Sequence, residues 1–256
     1  MSLLSCFKKL LPDSSMIQTP PPVSTVGARN EQTRFDWVVA ALQNIPEGSR
    51  ILDAGAGELR YKPYCAHLQY VAQDFAQYDG QGDQKGLQQG TWDQSKLDLV
   101  CDISAIPESD ASFDAVMCIE VFEHLPEPVL AIKEFARLLK PKGYLILTAP
   151  FCSLTHLAPY HFASGFNRYF YEAHLAAYEF DILEIVANGN YFEYLAQELR
   201  RIPYCAERYA EENITESEHA AIESVLAALQ RCSTQDTGSS EFLCFGYHIL
   251  AQKRKR

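Results

Sequence analysis

No run in this 256-residue chain approaches the ~20 consecutive apolar residues that a bilayer-crossing helix needs, which excludes stable membrane insertion of that kind. Basic residues are scarce: 22 Lys and Arg against 33 Asp and Glu leave a net charge of -11. That balance argues against a nucleic-acid partner, whose phosphates are met by clustered cations. The C-terminal Lys253–Arg256 run reads as a solvated tail. No two of the eight cysteines lie within four residues of each other, so there is no CxxC pair and no zinc-like grouping. Several sit in apolar runs, as Cys118 does, and read as small buried hydrophobes in a reduced, cytoplasmic setting. No internal repeat is visible.

The chain does have 47% hydrophobic and 12% aromatic residues, enough to bury one large core. The opening "MSLLSCFKKLL" is too short in its apolar part for a signal peptide, and reads as a packed helix or a frayed terminus. Residues 12–27, rich in Pro, Ser and Thr, read as an extended arm. A helix is expected over Glu31–Ile45, with Phe35, Val38, Val39 and Leu42 on one face. Short strands are expected at Arg50–Asp53, Gln69–Asp74, Leu97–Ile103, Ser112–Val121, Tyr144–Pro150, Phe180–Val186 and Phe242–Ala251. The clearest helix is Pro126–Gly143, with Leu130, Phe135, Leu138 and Leu139 as its stripe. Strands alternating with helices predict an α/β fold with an open, mostly parallel sheet. We divide the chain into an arm, 1–30, and a domain, 31–256, with a helical insertion at about 188–240.

The chemistry gathers where the strands end. In "RILDAGAGELR" an apolar strand stops at Asp53, followed by Gly55 and Gly57, and "ELRYKPYCAHL" can open a helix behind them. Such a turn brings a ligand close to backbone N–H groups. Asp74 and Asp102 close the next two strands, and ligands of open α/β sheets sit beyond those ends. A nicotinamide dinucleotide fits Gly55, Gly57 and Asp74, but Arg60 stands at the third glycine position and Asp53 is left without a role. The three acids could also be plain strand-end turn formers.

Together these segments resemble the class I methyltransferases, specifically their type 11 small-molecule branch. "LDAGAGE", "YVAQD", "CDISAIP", "SFDAVMCIEVFEHL" and "KEFARLLKPKGYLILTAP" carry the likeness over roughly residues 31–186. The resemblance implies a Rossmann-like fold with a seven-stranded, mostly parallel sheet, helices on both faces and the last strand antiparallel. It implies S-adenosylmethionine as cofactor, held by Asp53, Gly55, Gly57, Asp74, Phe75, Asp102, Ile103 and Glu120. Asp74 would take the ribose hydroxyls and Asp102 the adenine amine. The usual third glycine of the first motif is Leu59 here.

The segment Pro150–Leu175 is implied to meet the substrate, a small molecule and, from the type of relatives, a sugar or glycan precursor. Its candidates are His156 and His161 as bases and Tyr160, Arg168 and Tyr169 as substrate contacts. Glu120, Glu123 and His124 follow the fourth strand, but no third ligand is evident nearby, so no metal is expected. A protein that holds the cofactor without transferring methyl would keep the acids and tolerate loss of the histidine segment. The oligomeric state is left open.

Overall fold

The computed structural model describes residues 24–88 and 90–255; the opening "MSLLSCFKKLL" and most of the expected arm lie outside them. The first helix, α1 (Asn30–Gln43), leads into β1 (Arg50–Ala54) and, after a turn, β2 (Gln69–Asp74) and β3 (Leu99–Val100). Then come β4 (Phe113–Ile119), α2 (Pro128–Leu138), β5 (Leu139–Pro150), α3 (Arg168–Ala177) and β6 (Phe180–Asn188). Two further helices, α4 (Tyr191–Cys205) and α5 (Glu216–Thr234), precede β7 (Gly246–Lys253).

The seven strands form one sheet in the order β3-β2-β1-β4-β5-β7-β6. All pairings are parallel except those of β7, which runs antiparallel between β5 and β6. Successive residues of β1 point to opposite faces. Ile51 joins Val38 and Leu42 of α1, whereas Leu52 joins Ile132 and Phe135 of α2 and Tyr171 and Leu175 of α3. A strand covered on both faces must be apolar at every position, which is why "IL" shows no alternation. From β1 the chain proceeds outward through β2 to β3, and from β4 the other way through β5. The crevice between β1 and β4 is therefore the switch point where ligands of such sheets bind.

Four boundaries differ from those expected. Behind the first glycines there is no α-helix, only a 3-10 turn at Lys62–Cys65. Leu59 takes a φ of 60° and Pro63 lacks an N–H, so a continuous helix cannot form. The third strand shrinks to Leu99–Val100, because aspartates compete for its ladder. Asp98 accepts from the backbone N–H of Ala72, and Asp102 turns onto its own Ser104. Helix α2 stops at Leu138 and β5 starts at once, with Pro141 in the irregular stretch where pairing shifts between Phe113 and Ala115. Leu130 is 40% exposed rather than part of the core stripe; Ala131 and Ile132 take that place. Finally, β7 begins only at Gly246, leaving Phe242 exposed.

Helices α4 and α5 build a small core of their own from Val26, Ala196 and Leu226. Residues 24–27 are sewn onto it: Val26 N–H donates to Gln230 Oε1 at 2.9 Å, and Arg200 donates to the carbonyls of Val26 and Ser24. The described end of the arm is thus bound to this hairpin and does not lie free in solvent. Among the described residues no helix is long and apolar enough to cross a membrane. All the described cysteines are free thiols, and Cys118 is fully buried.

Candidate active site

The turn after β1 is held from beneath. Asp74, 5% exposed at the end of β2, accepts from Gly57 N–H through Oδ2 and from Ala76 N–H through Oδ1, both at 3.0 Å. One carboxylate therefore fixes both the glycine turn and the start of its own loop. Asp53 lies deeper, 3% exposed, and accepts from the Tyr70 hydroxyl at 2.5 Å. Burial pushes its carboxyl up to about 7, with Asp74 adding to the rise and Tyr70 opposing it.

That shift has a sign that can be checked. The folded state holds the Asp53 proton up to about pH 7, whereas an unfolded aspartate releases it near 3.8. The contribution of Asp53 to folding stability is therefore fullest below about pH 4 and falls as pH rises to 7, by an order-of-magnitude figure of roughly 4 kcal/mol. Asp53→Asn keeps an acceptor for Tyr70 and removes this dependence. In urea unfolding from pH 4.5 to 7.5 the variant gains on the wild type as pH rises, then holds a constant lead. A lead independent of pH would contradict the burial account.

Two adjoining cavities open over the crevice, of about 380 Å³ and 430 Å³. The smaller is largely apolar, walled by Phe75, Ile103, Val121, Leu125 and Leu130, with Asp74 and Asp102 also in its lining. Asp102 Oδ1 accepts from both the N–H and hydroxyl of Ser104, and these bonds hold its carboxyl below the usual range. The larger cavity is polar, lined by Asp53, Gly57, Glu58, Glu120, Glu123, His156, Arg34, Arg60 and Arg201 among others. Gly55, Trp92, Glu120, His124 and Leu157 line both. Glu120 bridges the elements: Arg34 of α1 donates to it at 3.1 Å, and Thr148 of β5 at 2.8 Å.

The long polar segment after β2 covers the site. It forms a backbone bridge at Leu87 and His156: Leu87 N–H donates to Thr155 O at 3.1 Å, and Leu157 N–H to Leu87 O at 2.8 Å. Tyr78 and Trp92 meet edge to face at 4.9 Å, and Phe75 meets Tyr160 at 5.1 Å. Gly86 allows the close approach; its φ is 64°, and a Cβ there would lie 2.4 Å from Thr155 O. Gly86→Ala is expected to unfasten the cover and speed amide hydrogen exchange at Leu87 and Leu157 at least about tenfold, leaving β1 and β4 protected. Unchanged exchange at those two amides would show that the pairing does not hold the cover.

Beside the cover three imidazoles gather. The ring centroids of His124 and His156 are 4.6 Å apart, and those of His156 and His161 are 4.9 Å apart. Nε2 of His124 and of His156 each lie 3.7 Å from Glu123 Oε1. His156, distant in sequence, is thus the third group beside Glu123 and His124 that the spacing of the "FEH" segment did not reveal. Burial takes His124 down to about 4, so it stays neutral. His161 is likewise lowered, by burial and by His156, and its Nε2 lies 3.2 Å from Ser153 Oγ.

The structure brings Asp53, Gly55, Gly57, Asp74, Phe75, Asp102, Ile103, Glu120, His156 and Tyr160 to the two cavities, with His161 just behind. It does not bring Arg168 and Tyr169 there. Asn167 caps α3, which buries Tyr171 and Leu175 and turns those two outward. Tyr169 is 70% exposed, and Arg168 pairs with Glu172. Sequence reasoning missed Tyr78, Trp92, Leu157, and Gln197, Glu198 and Arg201 of α4. The glycine-rich loop hinted at the first two; nothing local marked the α4 residues.

Residues 52–147 match a family model described as a methyltransferase domain, Methyltransf_11. A ubiquinone biosynthesis O-methyltransferase of Xanthomonas axonopodis pv. citri (strain 306) is 36% identical over 118 residues, 45% of this chain and 48% of that protein. The counterpart from Xanthomonas oryzae pv. oryzae (strain PXO99A) is 37% identical over the same shares. The chain spans about half the length of the curated relatives it matches. Among solved structures, a putative sarcosine dimethylglycine methyltransferase from Galdieria sulphuraria shares the fold, with a TM-score of 0.53, 16% identity and 88% of each chain covered. So does the cyclase SpnF, with a TM-score of 0.51, 20% identity, and 93% of this chain and 86% of that one covered.

Proposed function

We propose that this chain, whose residues 52–147 match a methyltransferase domain, moves a methyl group from S-adenosylmethionine to a small molecule. The observation that carries the reading is the pair of cavities over the switch point, one largely apolar with Asp74 and Asp102 in its lining, the other polar and charged. When bound, the cofactor supplies an electrophilic methyl on a sulfonium.

The donor set fits such a group. Asp74 uses one lone pair of each oxygen on backbone N–H groups and keeps the others for a vicinal diol. Asp102 Oδ1 is occupied by Ser104, leaving Oδ2 for an amine, while Phe75, Ile103 and Val121 offer an apolar slot for a ring. Gly55 and Glu120, on the shared wall, would meet the amino-acid end, with Asp53 behind. The protein's contribution is alignment, which is worth roughly 7–11 kcal/mol when reacting atoms are well oriented.

The acceptor enters the polar cavity, whose carboxylates and guanidiniums suit a molecule rich in hydroxyl or amine groups. His156 lines that cavity as a contact for it. His161 is the proton acceptor in this reading: Ser153 lines the cavity, and its hydroxyl, turned from the Ser164 carbonyl to Nε2, gives its own proton to His161 while taking the one the acceptor loses. Fold alone would not support this, since the same fold occurs in a cyclase.

The test is calorimetric titration of the full chain with S-adenosylmethionine, S-adenosylhomocysteine and NADH. Binding of the first two with none of the third supports the reading. A folded protein that binds neither sulfur nucleoside overturns it.

A further inference from the structure

Glu123, His124 and His156 form a cluster that methyl transfer does not require. Glu123 is 1% exposed, and its Oε2 has no hydrogen-bond partner. Burying a carboxylate without compensation costs several kcal/mol. Its nearest neighbours on the Oε1 side are two imidazole nitrogens.

The protonation of those imidazoles is fixed from behind. His124 Nδ1 lies 2.6 Å from the Tyr160 carbonyl, and His156 Nδ1 lies 2.8 Å from the Leu154 carbonyl. A carbonyl only accepts, so each Nδ1 carries the hydrogen. With Nδ1 the donor, Nε2 of each ring is the atom left to face Glu123, and both lie 3.7 Å from the same carboxylate oxygen. His124 Nε2 is buried and without a partner. A buried carboxylate faced by two imidazole Nε2 atoms calls for a positive group between them, a proton or a metal ion. A backbone carbonyl on Nδ1 is also the usual support of a metal-bound histidine, because it sets both tautomer and ring orientation.

We propose that Glu123, His124 and His156 bind one divalent first-row transition ion, of which zinc is the probe. The donor atoms lie within 4.8 Å of one another. Zinc at about 2.0–2.2 Å from each requires separations of roughly 3.3 Å, so the widest pair closes by up to about 1.5 Å. Two imidazoles and one carboxylate select a d-block ion over magnesium or calcium, which take oxygen donors. Three protein ligands leave a fourth position open, and all three residues line the polar cavity. The site is therefore placed to meet the acceptor. It goes beyond the methyl-transfer reading and does not depend on it.

The experiment uses the full chain, stripped by chelator dialysis and titrated with zinc in a calorimeter. Cobalt absorption reports ligand geometry. One ion per chain is expected, with affinity reduced at least about 100-fold in both Glu123→Gln and His156→Ala. His219→Ala, on the exposed face of α5, controls for adventitious surface histidines and leaves the affinity unchanged. His156 lies in a loop, so its variant remains informative if Glu123→Gln fails to fold. No stoichiometric uptake, or uptake by His156→Ala equal to wild type, overturns the site in favour of a proton shared between Glu123 and His156. Titrating the stripped protein with S-adenosylhomocysteine separately tells a failed metal site from a failed cofactor site.

Discussion

Asp74→Ala abolishes measurable S-adenosylhomocysteine binding while the protein still unfolds cooperatively. The residue acts twice. It fixes the glycine turn through Gly57 N–H and its own loop through Ala76 N–H, and in the proposed complex it accepts the two ribose hydroxyls. Hydrogen bonds to a charged group contribute about 1.5–3 kcal/mol each. Losing two to the ligand lowers affinity by more than about 100-fold, before any loosening of the turn. Asp74→Asn separates the two roles. Its amide retains one acceptor oxygen, so the turn keeps a tether, but the charge and one acceptor are gone. Binding intermediate between wild type and the alanine variant is expected by calorimetry. Binding by Asp74→Ala within threefold of wild type would remove Asp74 from the cofactor site.

Gly55→Ala lowers the melting temperature by about 4–24 °C and removes cofactor binding with it. Gly55 has a φ of 81°, and a Cβ there would lie 2.5 Å from Val121 Cγ2. A left-handed non-glycine residue costs of order 1–3 kcal/mol, and overpacking a further 1–3. In a chain of this size each kcal/mol moves the midpoint about 2–4 °C. Pairing it with Val121→Ala relieves the clash but not the backbone strain. The double variant should therefore recover part of the loss, and a full recovery would show that φ at this position costs nothing. Both residues line the apolar cavity, so even a recovered fold should bind more weakly.

What the sequence revealed divides along the range of the interactions. The strand-end acids Asp53, Asp74 and Asp102, with Gly55 and Gly57, are legible because one short segment supplies each strand and its turn. Core strands β1 and β4 are legible for the same reason, as apolar runs between loop residues. The third strand was drawn too long, since aspartate side chains taking ladder positions are invisible to a hydrophobic pattern. The helix expected after Gly57 failed on Leu59 and Pro63, a local signal that periodicity outweighed. Arg168 and Tyr169 were drawn toward the substrate by sequence neighbours, yet a helix started by Asn167 sends them the other way. His156 meeting Glu123 and His124 depends on how two loops fold back on each other, which no spacing encodes. The same holds for Arg201, carried to the site by α4, far away in the chain.

The α4/α5 hairpin has a core separate from those of the sheet, and it reaches the polar cavity through Gln197, Glu198 and Arg201. None of those three borders the apolar cavity. Under the proposed assignment of the two cavities, a scaffold arranged this way is modular: selection on which acceptor is admitted can act on the hairpin while leaving the apolar cavity undisturbed. Transplanting residues 191–234 from a homologue of different acceptor preference would be the corresponding engineering route, provided the stitches to Ser24 and Val26 travel with them.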